Sequence, residues 1–323
     1  MENSKRRLSR TLLAGLVLAA AGICAHAQSR NIRFIVPYGA GSGTDSLARE
    51  IALGVEKVLG ETIVVENRPG AGNVIAVEAV LAAPADGRTV LIGPPTLWSA
   101  PLVNKKLRFS PLRDFIPVST LARGPFVLLG SPHYKAATIQ EVIADVRANP
   151  RKVNAGNNGV GGSPHLMTAL FANSAQMDLS YVPYLSGPNV AAALMAGDVQ
   201  LFMDIPVTAK PMIDSGRLRG LAISSGVRES YLPNVPTFKE AGFPELEVYW
   251  YIGTLVKAGT PPSVVQNLSA AINEVLRSPA LREKQLRLGV EVRGSTPEQF
   301  TEIIRTDTRR WQDVVNRTGI TVD

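Results

Sequence analysis

Cysteine is almost absent from this chain: of 323 residues only Cys24 is one, and it falls in an N-terminal stretch that reads as an export leader. "MENSKRRLSR" is a charged segment, "TLLAGLVLAAAGIC" an apolar one and "AHA" (25–27) a small-x-small cleavage signal, so residues 1–27 are expected to be a signal peptide. The apolar run is shorter than the roughly 20 residues that span a bilayer as a helix, and Ile23 stands where lipoprotein processing at Cys24 needs a small residue. The expected mature chain then has no cysteine. Disulfides, thiolate metal sites and a cysteine nucleophile are excluded, and an oxidising periplasm is a comfortable setting.

Histidine is nearly as scarce. Of three, His26 leaves with the leader, and only His133 and His165 remain. That argues against a zinc site or a nucleophile–base pair, so no metal, cofactor or enzymatic activity is expected. The formal charge of +7 is partly the leader's. Losing Lys5, Arg6, Arg7, Arg10 and Glu2 takes Lys+Arg from 34 to 30 and Asp+Glu from 27 to 26, leaving +4. No basic run survives, so nucleic acid is not an expected partner. No later apolar stretch is long enough for a membrane, and nothing is repeated or of low complexity.

What is present alternates. "NIRFIVPY" (31–38), "TIVVEN" (62–67) and "RTVLIG" (88–93) are β-rich, and the segments between them have helical spacing, with Leu47, Ile51 and Val55 on one face. The alternation resumes with "FVLLGSP" (126–132), "TIQEVIADVRANP" (138–150), "LSYVPY" (179–184), "VAAALMAGDV" (190–199), "QLFMDI" (200–205) and "LRGLAISS" (218–225). "LEVYWYIGTLV" (246–256) is long enough to cross between lobes, and the tail is mostly helical. Strand–helix alternation predicts α/β architecture with largely parallel sheets. The mature length is one at which a single core begins to split. We expect one lobe from about 28–125 plus 254–323, an inserted lobe of 126–253, and two hinge strands joining them around a cleft.

"IVPYGAGSGTDSLARE" (35–50) runs from a strand through alternating glycines into a helix. Such a turn offers free amides and the positive end of a helix dipole to an anion. A dinucleotide loop needs G-x-G-x-x-G, whereas Gly39, Gly41 and Gly43 alternate; a P-loop needs Gly-Lys-Ser/Thr, which is missing. Glu66 does end the second strand where a ribose-binding acid would sit. A carboxylate-sized anion fits the pattern better than a nucleotide or a purely structural turn. "NAGNNGVGGSPH" (154–165) repeats the design, with Asn157, Asn158 and Ser163 as donors. His165 at the start of the following helix is open to a structural or a ligand role. Asp204, ending an apolar strand, is either a capped core-edge carboxylate or a cleft residue. Trp98, Tyr184, Trp250 and Tyr251 are candidates for core or for an apolar ligand wall.

"IVPYGAGSGTDSLAR", "IVVENRPGAG", "ADGRTVLIG", "NNGVGGSPHL", "VPY", "LPNVPTFKEAG" and "GTPPSVVQNL" occur in order over nearly the whole mature chain. Together they closely resemble the Bug family, the extracytoplasmic solute receptors of tripartite tricarboxylate transporters. The resemblance implies a periplasmic binding protein of type II-like fold, each lobe a mixed sheet flanked by helices, with two crossover strands and flytrap closure. It also implies a small organic carboxylate ligand, a monomeric receptor and membrane transporter subunits as partners; a periplasmic sensor with a membrane signalling partner is the alternative. Carried over by position, the ligand contacts would be Tyr38, Ala40, Gly41, Gly43, Thr44 and Asp45 on the first loop, some of them through water. Asn157, Asn158, Gly159 and Ser163 would follow on the second, with His165, and Asp204 beyond. This chain departs from the family with "GNNG" for the common "GSSG", Leu185 where a basic residue is common, and Gly39 and Ala40 where prolines are common. Those changes leave the ligand's identity open.

Overall fold

The computed structural model describes residues 31–322; the expected leader lies outside them. Three short β-branched runs, β1 (Ile32–Val36), β2 (Ile63–Asn67) and β3 (Thr89–Gly93), pair in parallel with β1 in the middle. Helix α1 (Gly43–Leu59) crosses from β1 to β2 and buries Leu47, Ile51 and Val55, one face at i, i+4 spacing. Its N-cap is Ser42, whose hydroxyl accepts from the Asp45 amide, and Gly60 ends it in the left-handed conformation. Helix α2 (Val74–Leu81) makes the second crossover, from β2 to β3.

Residues 94–125 supply α3 (Thr96–Val103), a single turn α4 (Pro111–Asp114) and the eleven-residue β4 (Phe115–Pro125). The strand pairs antiparallel with β10 (Tyr249–Lys257) along the latter's whole length, and β10 borders β3. With β11 (Glu291–Val292) the first sheet runs β11-β4-β10-β3-β1-β2. It is covered by α9 (Pro262–Val275), which packs on α1 and β4, and by α11 (Pro297–Thr318), which packs on β4 and α3. The short α10 (Pro279–Leu286) lies against β11.

The second sheet holds β5 (Val127–Gly130), β6 (Asn154–Asn157), β7 (Ser180–Pro183), β8 (Leu201–Asp204) and β9 (Arg219–Ile223) in the order β7-β6-β8-β5-β9. β6 is parallel to β7 and β8, and β5 is antiparallel to β8 and β9. Helices α5 (Ile139–Ala148), α6 (Ser163–Ser174), α7 (Gly187–Ala196) and α8 (Pro206–Asp214) connect these strands. The architecture is two α/β lobes, each a mixed sheet flanked by helices.

Only Phe126 separates β4 from β5, so one strand of the first sheet runs directly into the second. The buried Ser224 ties that crossing to the return. Its hydroxyl accepts from the Phe126 amide at 2.8 Å and donates to the Val248 carbonyl, while its own amide donates to Phe126 O at 2.9 Å. Trp250, 6% exposed, adds an indole N–H bond to Pro125 O at 3.0 Å. Among the described residues no helix is long and apolar enough to cross a membrane.

Candidate ligand-binding site

Parallel strands leave their carboxyl ends on one edge, and the loops there form the crevice of an open α/β sheet. The first glycine loop occupies that edge between β1 and α1. Gly39, Ala40, Gly41 and Gly43 are exposed and Thr44 is half-buried. Gly43 and Thr44 open the helix, so their amides have no intrahelical acceptor and face outward with the positive end of the dipole. Gly41 has φ +82°, a conformation that strains any residue with a Cβ.

Asp45, expected among the ligand contacts, has its carboxylate on the protein itself. It is 2% exposed and accepts from the Gly41 amide at 2.8 Å, Asn67 Nδ2 at 2.8 Å and Arg49 Nε at 3.1 Å. Burial pulls its pKa up, but the bonds from Arg49, Gly41 and Asn67 prevail and hold it below the ordinary aspartate value. Asn67 also donates to the Tyr38 carbonyl at 2.9 Å and accepts from Arg49. Asp45 and Asn67 thus fold the loop back over the helix start. Tyr38 is turned inward: burial raises its phenol, which hydrogen-bonds with Thr96 and Asn73. Glu66 is held by Arg33 and Arg68, which lower its pKa, so it is no free ribose acceptor.

The second loop leaves β6 in the same manner. Asn157 is 2% exposed and its side-chain oxygen accepts from the Gly159 amide at 3.3 Å, while Asn158 and Gly159 are half-buried beside it. Ser163 opens α6. His165 Nδ1 accepts from the Gly161 amide at 3.1 Å, which puts the ring proton on Nε2, and the ring meets Tyr181 edge-on at 4.9 Å. Asp204 ends β8 alongside. Its carboxylate caps the start of α8, accepting from the Ile205 amide at 2.8 Å and the Thr208 hydroxyl at 2.6 Å.

Helix α3 brings the two loops together. Near its start Thr96 bonds with Asn73 and Tyr38 of the first lobe. Three residues on, a rise of about 4.5 Å, Ser99 donates to the carbonyl of Gly161 at 3.5 Å, both residues being buried. A Cβ on Gly161 would stand 2.3 Å from Val103 Cγ2, so the second loop docks on α3 only with glycine there. Asn67, Asn73, Thr96 and Ser99 are the positioning residues that sequence reading did not single out. Asn67 lay inside the quoted "ENRPGAG" stretch, but nothing in the pattern said which atoms it would tie. His133 lies away from both loops, and Trp98 is core at 1% exposure. Among the described residues no group of three His, Cys, Asp or Glu side chains is arranged to hold a metal ion.

A groove of about 410 Å³ lies elsewhere, between β10 and α11, lined by Tyr249, Tyr251, Ile303, Asp307 and Arg310 with Glu247 and Glu302. Its carboxylates outnumber its cations, and it includes no residue of either glycine loop.

Burial pushes the Asp204 carboxyl up to about 6 against the pull of its two hydrogen bonds, and pushes His165 down to about 4. These shifts have opposite consequences. Between about 4 and 6 the folded state holds the Asp204 proton more tightly than the unfolded chain, so that contribution to stability is lost as pH rises. Between about 4 and 6.5 the unfolded chain takes up a His165 proton that the folded state refuses, so that contribution is gained as pH rises. The two should nearly cancel in the wild type. Relative to it, Asp204→Asn is expected to add a rise in stability with pH across this window and His165→Gln a fall, each of about 3 kcal/mol. Urea melts at pH 4.5, 5.5 and 6.5 check this; slopes of the same sign in both variants would contradict the assignment.

Known proteins resemble this chain over most of its length. The Tripartite tricarboxylate transporter family receptor (TctC) pattern matches residues 47–320. The chain is 33% identical over 315 residues to the protein BugT of Bordetella pertussis, covering 94% of this chain and 96% of that one. Among solved structures it is similar to Rpa4515 of R. palustris with adipate, at 30% identity and TM-score 0.79 over 91% of this chain and 99% of that chain. It is likewise similar to MatC of Rhodopseudomonas palustris with bound malate, at 29% identity and TM-score 0.76 over 89% and 99%. With a family match across most of its length and a relative of this identity, the chain belongs to the tripartite tricarboxylate transporter family of receptors, the family that includes the Bug proteins.

Proposed function

We propose that the protein is a periplasmic, monomeric and non-catalytic receptor. It captures a small organic carboxylate between its lobes and delivers it to the membrane subunits of a tripartite transporter. One observation carries this reading: two strand–glycine loop–helix turns, one per sheet, both anchored on α3, with the amides of Gly43 and Thr44 open on the first. Each charge-assisted hydrogen bond to a carboxylate there contributes about 1.5–3 kcal/mol. Adipate and malate in the structural neighbours are anions of the same chemistry. The expected lobes, 28–125 with 254–323 and 126–253, belong to the same reading, with β4 and β10 as the strands about which they close.

Ligand bound only to the folded state stabilises it, by about 2.7 kcal/mol at a hundredfold excess over Kd. A carboxylate panel should therefore contain at least one member that raises Tm by about 5 °C. No shift across a broad panel, with no retained ligand in native mass spectra of protein purified without refolding, would remove the reading. The delivery half predicts ligand-dependent capture of the receptor by detergent-solubilised transporter subunits.

A further inference from the structure

Helix α11 carries an acid where its pattern calls for an apolar residue. Phe300, Ile304, Trp311 and Val314 are buried along the side that packs on β4 and α3, and Asp307 stands between Ile304 and Trp311 at the same three- and four-residue spacing. It is 4% exposed. Arg310 pairs with it at 2.7 Å, yet burial pushes its carboxyl up to about 6 against that pull. A buried carboxylate costs stability unless it is well compensated, and the glycine-loop site makes no use of this one.

Asp307 lines the groove between α11 and β10, whose volume of about 410 Å³ is that of a small-molecule site. Tyr249 and Tyr251 are two apart on β10 and share one face of the strand. Glu302, Ile303, Thr306 and Arg310 form the facing stripe of α11. Glu247 enters from the side of the second sheet, one residue before the Val248 amide that bonds to Ser224 O. The lining thus sets three carboxylates against one guanidinium, and Asp307 takes that guanidinium. Among the described residues no ion pair joins Glu247 to a cation, and Glu302 has only the exposed Arg305 at 3.5 Å. Such a lining draws in a cation and repels an anion.

The cation is not a bare ion. Among the described residues no three acids are arranged to hold a metal, and the two tyrosines with Ile303 form an apolar wall that an ion would leave unused. A cation with a hydrocarbon body uses both. A smaller cavity of about 200 Å³ shares Tyr251 and Ile303 with the groove and is lined by Arg123 and Arg293. The positive head group therefore belongs at the other end, by Asp307.

We propose that this groove is a second ligand site, separate from the glycine loops and independent of the carboxylate reading, and that it takes an organic ammonium ion. The head group meets the Asp307 carboxylate in the field of Glu247 and Glu302. The body lies on Tyr251 and Ile303, where the aromatic face adds cation–π attraction.

The test is calorimetric titration of the full mature chain at pH 8, where Asp307 is ionised. The probes are n-pentylammonium and phenethylammonium chlorides, each against its neutral alcohol, 1-pentanol or 2-phenylethanol, at constant ionic strength. At least one ammonium ion should saturate a single site with Kd below about 10 mM, roughly tenfold or more tighter than its alcohol, the scale of one charge-assisted hydrogen bond. Asp307→Asn should weaken the ammonium ion about tenfold and leave the alcohol unchanged. The double variant Glu247→Gln, Glu302→Gln changes two exposed side chains; it should keep the wild-type Tm and weaken the ammonium ion about threefold. Ile303→Arg, which adds a guanidinium to the groove, should abolish binding. No saturation in that range, equal affinity for ammonium ion and alcohol, or unchanged ammonium affinity across the variants would each overturn the inference. If Asp307→Asn is too unstable to titrate, the double variant and Ile303→Arg decide by the same criterion. No carboxylate enters the titration, so its failure leaves the carboxylate reading standing.

Discussion

Asp45→Ala is expected to lower stability by about 3 kcal/mol and to abolish ligand binding along with it. The carboxylate is 2% exposed and is the single acceptor that gathers the Gly41 amide, the Asn67 side chain and the Arg49 guanidinium. Removing one member of a buried ionic cluster costs about 3–5 kcal/mol, because the others lose their partner inside the protein. Arg49 is 47% exposed and regains water, which places the effect at the lower end. Binding falls for a separate reason. Gly41, at φ +82°, directly precedes the N-cap Ser42 and donates its amide to Asp45, and without that tie the first turn of α1 no longer presents a fixed pair of amides. The pH dependence carries a sign as well. With its pKa held below the ordinary carboxylate value, Asp45 contributes stability that is complete at neutral pH and is lost as pH falls through that lowered value. Asp45→Asn keeps an acceptor for Gly41 but not the charge facing Arg49, and should fall between. Urea denaturation with an unchanged m-value measures the loss; a change in Asp45→Ala under 0.5 kcal/mol would show that the backbone alone holds the loop.

The strand–helix alternation was legible because it is written in short-range periods. α1 buries Leu47, Ile51 and Val55 at the expected spacing, and α5 starts at Thr138, whose hydroxyl accepts from the Glu141 amide. The glycine loops were legible for the same reason, as strand, turn residues and helix follow one another in sequence. Residues 94–125 were not. α3 follows Pro94 and Pro95, contains Pro101 and has only Thr96 and Ser99 as polar residues, too few to set a period, because it is wedged among Tyr38, Phe300 and the second loop. β4 reads as a loose apolar run whose role as a crossing strand depends on β10, more than a hundred residues later. The site's anchors were hidden for the same physical reason. Asn67 reaches Asp45 across 22 positions and Ser99 reaches Gly161 across 62, and no local pattern announces a bond made by tertiary folding. At Asp45 the sequence places a carboxylate at the helix start but does not say which atoms it holds; its three donors, Gly41, Asn67 and Arg49, come from the folded loop, the next strand and the helix itself.

Gly43→Val should separate binding from folding more cleanly than any other change. Gly43 is exposed, its φ is not positive, and a Cβ placed there would meet no other heavy atom within 4 Å. Valine at the first helical position removes no intrahelical hydrogen bond, since that amide has none to lose. Stability should stay within about 0.5 kcal/mol of wild type. Its two γ-methyls, however, would stand beside the amides of Gly43 and Thr44, where an anion oxygen needs to come to about 2.9 Å. Losing two charge-assisted bonds of about 1.5–3 kcal/mol each corresponds to a fall in affinity of roughly a hundredfold or more. Gly41→Val is the informative contrast. At φ +82° the side chain strains the backbone, so that variant should lose stability and binding together, whereas Gly43→Val loses binding alone. Gly43→Ala, with one methyl in place of the branched group, should fall between wild type and valine. Titration calorimetry with whichever carboxylate stabilises the wild type, paired with urea melts of all three variants, reads both quantities. Wild-type affinity in Gly43→Val would place the ligand's carboxylate away from the start of α1 and sink the site as assigned.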